Sequence, residues 1–382
     1  MVFNNHYKTW IEIDKKSVIS NIKTFRLILK PKTKLFAVVK SNAYGHGLIL
    51  FSGLADKLGV DGFCVDSIIE GRKLRAVGIK KPILCLGPTL PGLFEDAING
   101  KIILTISNLE ALSAFAKSGK FTNFHIKIDT GMHRQGFYLN EIPKALRIIK
   151  NPKSGLGSFL KGIYTHFAAA KDVTYPSYTL RQLNKFEEAN TLFKKAGFKN
   201  LLRHAAATGG AILYPQSHFD FVRIGAGLYG FWPTRETKVQ HQLVLNRKLM
   251  LKPILSWRSV VSEVKDLIPG DLVGYDLTEE ITKPVTAAII PIGYWHGFSR
   301  ALSGCGRVLI NGLSAKVLGR VSMDLLTVAL PRGLKAKIGD RVTLIGRDKK
   351  EIIRADDLAE ITNGISYEVI TRLNPLIERF LV

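Results

Sequence analysis

Lys34-Leu-Phe-Ala-Val-Val-Lys40 is an apolar run that ends in a cation and passes at once into Ser41-Asn-Ala-Tyr-Gly-His-Gly47. The run reads as a buried strand, and the polar stretch as the loop at its C-terminal end. Similar runs recur at Gly62 to Asp66, Ile83 to Leu86, Ile103 to Ile106, Phe124 to Asp129, Gly162 to His166, Leu202 to His204 and Phe221 to Ile224, each followed by a helical stretch. Strand and helix alternating at this spacing imply a parallel sheet, and this number of units closes a (β/α)8 barrel. A doubly wound sheet, or a miscount at the weak run near 202, is the alternative. Between strands, Leu180 to Phe193 places apolar side chains at 180, 183, 186, 189, 192 and 193, close to the helical period.

From about residue 245 the rhythm changes to β-rich runs at Val260 to Val264, Thr286 to Ile292, Arg307 to Ile310, Ala315 to Leu318 and Arg341 to Ile345. Asn311-Gly312 is a two-residue hairpin signal. The expected organisation is therefore a TIM-type α/β barrel over 1–244 and a mainly β domain over 245–382. The tail from Arg354 to Leu373 reads as helix, loop and helix.

A chain of 382 residues, 46% of them hydrophobic, suits two globular domains. Its N-terminus lacks the charged-then-apolar pattern of a leader, and no apolar run is long enough to span a bilayer, so a soluble, cytoplasmic protein without membrane contact is expected. Cys64, Cys85 and Cys305 are odd in number and lack ligand spacing, which argues against a disulfide framework and a metal site; buried, apolar roles are expected. The net charge is +24, but the basic residues are dispersed and no nucleic-acid motif accompanies them. A solvated basic surface that draws anionic small molecules is the expectation.

Barrel enzymes carry their chemistry at the C-terminal ends of the strands. Lys40 ends the first strand beside Tyr44, His46 and glycines that would let backbone approach a bulky ligand, a setting that suits a lysine joined to pyridoxal phosphate (PLP) as an imine. In the fifth strand, alternation puts His125, Lys127 and Asp129 on the inward face, with Arg134 following in the loop. The sixth ends at His166. Ala205-Ala-Ala-Thr-Gly-Gly210 and Ile224-Gly-Ala-Gly227 follow strands seven and eight, where a phosphate site is expected.

Arg223 carries mechanistic information. A PLP enzyme that needs a strong electron sink keeps the pyridine nitrogen protonated with an acidic partner. Arginine cannot accept a proton and favours a neutral ring. A carbanion formed there is short-lived and quickly reprotonated, which suits racemisation.

At this point the chain resembles the alanine racemase family nearly end to end. The matching motifs are Ala37 to Gly47, Lys127-Ile-Asp-Thr-Gly-Met-His-Arg134, Gly162-Ile-Tyr-Thr-His166, Val222-Arg-Ile-Gly225, Val273-Gly-Tyr275, Pro291-Ile-Gly-Tyr294, Gly319-Arg-Val-Ser-Met-Asp324 and Ser366-Tyr-Glu368. The resemblance implies interconversion of L- and D-alanine by two bases, with PLP as cofactor, in a head-to-tail homodimer that shares its active sites and supplies D-alanine for peptidoglycan.

Carried over residue by residue, it makes Lys40 the cofactor lysine and one base, and Tyr275 from the other subunit the second base. Tyr44, Thr208, Gly225, Ala226 and Tyr367 match phosphate contacts. Arg223 matches the pyridine-nitrogen partner, with His166 and His204 nearby. Arg134 and the Met323 backbone match substrate-carboxylate contacts, and Lys127 a lysine often carbamylated. Tyr294, Arg300, Arg320 and Ile365 match the substrate entrance.

The chain departs from the family at Gly293-Tyr-Trp-His-Gly297, where His296 replaces a usual acid, at Asp276 in place of a common glycine, at Ala207 in place of a frequent asparagine, and at a C-terminus without paired arginines. A broader-specificity racemase is the alternative reading. A decarboxylase of the same architecture would use an acid where Arg223 stands, and a single-barrel PLP carrier would need neither the β domain nor Tyr275.

Overall fold

The computed structural model describes residues 7–171, 176–246 and 248–382; residues 1–6, part of the stretch read above for a leader, lie outside the described residues. The chain forms two compact units, one of Lys16–Ala43 and Phe51–Pro253, the other of Met1–Lys15, Tyr44–Leu50 and Ile254–Val382.

In the first unit, eight parallel strands follow in chain order: Lys34–Val38, Gly62–Val65, Ile83–Cys85, Leu104–Ile106, Phe124–Lys127, Leu160–Tyr164, Leu202–His204 and Phe221–Ile224. The last strand pairs with the first, Phe36 opposite Arg223. Two seams complete the ring. Cys85 N–H reaches the Ile103 carbonyl at 2.9 Å, and Arg223 N–H reaches the Ala206 carbonyl at 2.9 Å. This closure excludes the doubly wound alternative, and the run near 202 is a true, three-residue strand. The strand residues are mostly buried, as expected of a sheet covered by helices outside and packed side chains inside.

Helix Pro176–Lys195 departs from the predicted face. It buries Thr179, Gln182, Phe186, Ala189, Asn190 and Phe193, and leaves Leu180 exposed. Gln182 explains the shift: its amide receives the Ala168 N–H at 2.9 Å and donates to Thr130 at 3.3 Å, so polar partners, which the apolar pattern does not count, turn this face inward.

The second unit centres on a ten-stranded sheet, ordered Glu263–Leu267, Val285–Ile290, Leu326–Ala329, Leu313–Leu318, Arg307–Ile310, Arg341–Asp348, Leu255–Val260, Thr9–Ile13 and Arg379–Leu381, with Glu351–Ile353 on the flank. Thr9–Ile13 lies within the segment 1–244 expected for the barrel, yet it pairs antiparallel with Leu255–Val260 and parallel with Arg379–Leu381. The predicted strand Val260 to Val264 is two strands, broken between Val260 and Glu263. Asn311 and Gly312 turn the expected hairpin with φ of 52° and 83°, the left-handed pair that matches strand twist. The tail helices are Ala355–Ile361 and Ser366–Thr371. Cys64 and Cys85 are buried as expected, but Cys305 is exposed, in the turn that follows Arg300–Leu302. Among the described residues, no helix is long and apolar enough to cross a membrane.

Candidate functional site

Lys40 opens a turn whose next four residues, Ser41 to Tyr44, have φ between 52° and 56°. Left-handed backbone costs a non-glycine residue roughly 1–2 kcal/mol, so the surroundings must hold this turn. Two bonds do so: Ala43 N–H to the Val39 carbonyl at 2.8 Å, and Asn42 N–H to Glu70 Oε1 at 3.3 Å. Lys40 Nζ, part-exposed, lies 3.4 Å from Asp66 Oδ1.

The fifth strand delivers Lys127, which is 5% exposed and donates to Gln135 Oε1 at 2.9 Å. Burial, then the cations Arg134 and Arg223, bring its amine down to about 8. Asp129, expected as an inward charge beside it, does something else. Its Oδ1 accepts the backbone N–H groups of Gly131, Met132 and His133, and its Oδ2 that of Arg134. Burial raises this carboxyl, but the four donors outweigh it and the pKa falls below the usual value. Asp129 therefore folds the loop that presents Arg134. Gln135, absent from the sequence prediction, carries no motif signal; only its contact with Lys127 reveals it.

Arg223, on the eighth strand and 3% exposed, is held entirely by neutral acceptors. One Nη2 donates to the carbonyls of Thr165 at 2.8 Å and Ala205 at 2.9 Å, and approaches His166 Nδ1 at 3.3 Å; Nη1 donates to His204 Nδ1 at 2.5 Å. The guanidinium also lies over the Tyr164 ring, 5.0 Å from its centroid. Among the described residues no carboxylate pairs with Arg223, and its hydrogen bonds all run from Nη1 and Nη2. Burial, then Arg223 and the cations Arg134, Lys127 and Lys40, push His166 down to about 3. Lys40, Lys127, Arg134, His166 and Arg223 thus share one strongly positive field at the strand ends.

The loops after the seventh and eighth strands meet where Gly227 N–H donates to Thr208 Oγ1 at 3.2 Å. A Cβ on Gly227 would come within 2.9 Å of Thr208 Cγ2 and 2.3 Å of Phe25, so only glycine allows the approach. Thr208, Gly225 and Ala226 are brought together here.

In the β unit, Tyr44 and Tyr367 meet edge to face with centroids 6.1 Å apart, and burial, then Tyr44, raises the Tyr367 phenol above its ordinary value. Gly45 in the 45–47 loop has a packing role. A Cβ on Gly45 would stand 1.9 Å from the Ile370 carbonyl oxygen, so Gly45 admits the backbone of helix Ser366–Thr371. His46 is buried with Nδ1 2.9 Å from the Tyr44 carbonyl.

Tyr275 is 69% exposed, between Gly274 at φ 78° and Asp276 at φ 60°. Tyr294 and Trp295 donate their backbone N–H groups to the carbonyls of Ser322 and Met323, both at 3.0 Å, which joins the two turns. His296 pins them: its Nδ1 accepts the Gly293 N–H at 3.2 Å, a neutral ring's role that burial, then Lys8, favours by lowering its pKa. Tyr275, Tyr294, Trp295, Met323, Leu325 and Ile365 are all large apolar side chains left exposed on this unit.

The model of the alanine racemase N-terminal domain matches residues 13–233, and that of the C-terminal domain residues 254–381. An alanine racemase from Leptospira interrogans is 39% identical over 381 residues, spanning 98% of this chain and 96% of that protein. One from Listeria monocytogenes is 37% identical over 380 residues, spanning 99% of each. A crystal structure of alanine racemase from Bacillus anthracis with bound L-Ala-P superposes with a TM-score of 0.91 at 32% identity, covering 99% of this chain and 95% of that one.

Proposed function

This chain belongs to the alanine racemase family, and on that premise we propose that it interconverts L- and D-alanine with pyridoxal phosphate, as a cytoplasmic homodimer that supplies D-alanine for peptidoglycan. The observation that carries the reading is Arg223, a buried cation with only neutral acceptors around it. That donor set fits a neutral ring nitrogen, which accepts a hydrogen bond, and not a protonated one, which would need an acid.

When bound, pyridoxal phosphate withdraws electrons from the substrate's Cα–H bond. The chain's own residues do the rest. Lys40 Nζ holds the cofactor and moves the proton on one face of Cα, and Tyr275 Oη from the partner moves it on the other. Thr208 Oγ1 and the backbone of Gly225 and Ala226 would bind the phosphate. Arg134 would bind the substrate carboxylate. An amine of pKa about 8 at Lys127 is partly unprotonated near neutral pH, the form that adds carbon dioxide, and the surrounding cations favour the carbamate anion that results. That anion would pair with Arg134 and fix its orientation.

Shared sites would account for Tyr275, Tyr294 and Met323 standing exposed on the β unit: an apolar patch of this kind marks an interaction surface. Circular dichroism of L-alanine incubated with the protein and pyridoxal phosphate, beside an assay for released carbon dioxide, tests the activity. Decay of the signal toward zero without carbon dioxide is expected. Carbon dioxide release, or an unchanged signal, would sink the reading, and parallel runs with L-serine and basic amino acids measure its breadth.

A further inference from the structure

We propose that His125 is a positioning residue: it accepts the Nε2 proton of His204 and so fixes the tautomer in which His204 holds Arg223. Arginine is only a donor, so the contact between Arg223 Nη1 and His204 Nδ1 requires a lone pair on Nδ1. The proton of neutral His204 then sits on Nε2, which lies 2.8 Å from His125 Nδ1. His125 must accept there, and its own proton is left on Nε2. The Nε2-protonated ring is thus the one form that serves both ends, with Nδ1 accepting from Arg223 and Nε2–H donating to His125, and without the acceptor at 125 that proton would be buried unpaired.

Two further observations show that the tautomer, not the ring position, is what His125 decides. The His204 ring is sandwiched, stacked on Tyr164 at 4.5 Å and on Phe221 at 4.0 Å, so packing already fixes its plane. Tyr164 is itself tied at its hydroxyl to Thr105 at 2.9 Å. What packing cannot fix is which nitrogen carries the proton. His125, in turn, is laid against the neighbouring strand at Gly162, where a Cβ would stand 2.8 Å from His125 Cε1 and 2.9 Å from Nδ1. The far Nε2–H of His125 is buried without a partner. A buried donor left unmade costs roughly 1–3 kcal/mol, so the ring is held here at a cost to the fold. Desolvation, then Arg223, keeps both rings neutral, which preserves a single positive charge in the row of three.

Without an acceptor at 125, His204 can move its proton to Nδ1, where it faces an N–H of Arg223 and pushes the guanidinium out of line. The effect on turnover rests on the proposed role of Arg223; the tautomer does not. The test is long-range proton–nitrogen NMR of the histidine-labelled holoenzyme, with racemase kinetics on the same samples. Wild type should show His204 as a neutral ring protonated at Nε2. His125→Asn, whose amide oxygen can stand near the lost Nδ1, should keep that pattern and turnover within about threefold. His125→Leu should shift His204 toward the Nδ1-protonated form and lower kcat about tenfold with KM little changed, a loss of about 1.4 kcal/mol. A wild-type His204 protonated at Nδ1 overturns the proposal directly, even if His125→Leu fails to fold. So does a His125→Leu protein that keeps both the Nε2 pattern and its turnover. If the protein lacks racemase activity altogether, the spectra of wild type and His125→Leu still decide the tautomer.

Discussion

Asp276 Oδ2 lies 3.0 Å from Arg320 Nε, and Asp276 is the residue that follows Tyr275. The Asp276 side chain is exposed and that of Arg320 half-buried, so the pair is worth about 1 kcal/mol, and its consequence is geometric. It holds a residue at φ 60°, a backbone that suits glycine better than aspartate. Asp276→Gly should therefore leave the unfolding midpoint unchanged or slightly raised, and keep at least half of the activity. Asp276→Ala, which loses the pair and keeps the strain, should do worse on both. Equal behaviour of the two variants in thermal melts would refute this account.

Tyr275→Phe should bind the cofactor but lose most turnover in both directions, since one face of Cα would have no proton carrier. Mixing Tyr275→Phe with Lys40→Ala subunits should restore part of the activity, because one site of the hybrid dimer would hold both bases. No recovery despite proven subunit exchange would place the two bases in one chain.

Lys40 should be the single lysine fixed by borohydride in the cofactor-loaded protein, read by peptide mass. Lys127, also at the strand ends, is the control: its label would exclude Lys40 from the role.

Arg223→Glu would set an acid where the site holds only neutral acceptors. Turnover should fall tenfold or more, and a new long-wavelength absorption band should build up with alanine as the ring nitrogen gains a proton. Normal turnover with an unchanged spectrum would remove the electronic argument.

Acid should destabilise the protein through the barrel histidines. Burial, then Arg223, holds folded His125 at about 3, against about 6.5 when unfolded, and His204 shifts in the same direction. As pH falls below about 6.5 the unfolded chain takes up protons that the folded one refuses, so stability is full above that value and is lost on the way down to about 3. The two rings contribute a slope of up to about 3 kcal/mol per pH unit. Urea midpoints at pH 7, 6 and 5 should drop accordingly, His166 adding to the fall, and His125→Asn should flatten the slope by one ring's share, up to about 1.4 kcal/mol per pH unit. An unaltered slope in that variant would show that His125 takes no part.

Much of the barrel was legible because its strands are short β-branched runs, and local pattern is what such runs encode. Thr9–Ile13 and Leu326–Ala329 escaped notice for the opposite reason: each pairs with a strand far along the chain, Leu255–Val260 in one case and Val285–Ile290 in the other. Lys40, Lys127, Arg134 and Arg223 could be named from strand ends. The work of Asp129 on its own loop, the contact of Gln135 with Lys127 and the row from Arg223 through His204 to His125 could not. These depend on side-chain direction across neighbouring strands, which spacing along the chain does not record.

The left-handed turn that begins at Lys40 bears on how this protein can evolve. Ser41, Asn42, Ala43 and Tyr44 each occupy backbone that glycine would enter freely, so glycine at Ser41, Asn42 or Ala43 is a ready route to a sturdier fold. Such a change would also slacken the anchor of the amine at Lys40, whose reach is set by the same dihedrals. Heat tolerance and catalytic aim therefore compete for one short piece of chain, and lineages selected for the first alone should drift toward glycine there and away from a sharply aimed lysine.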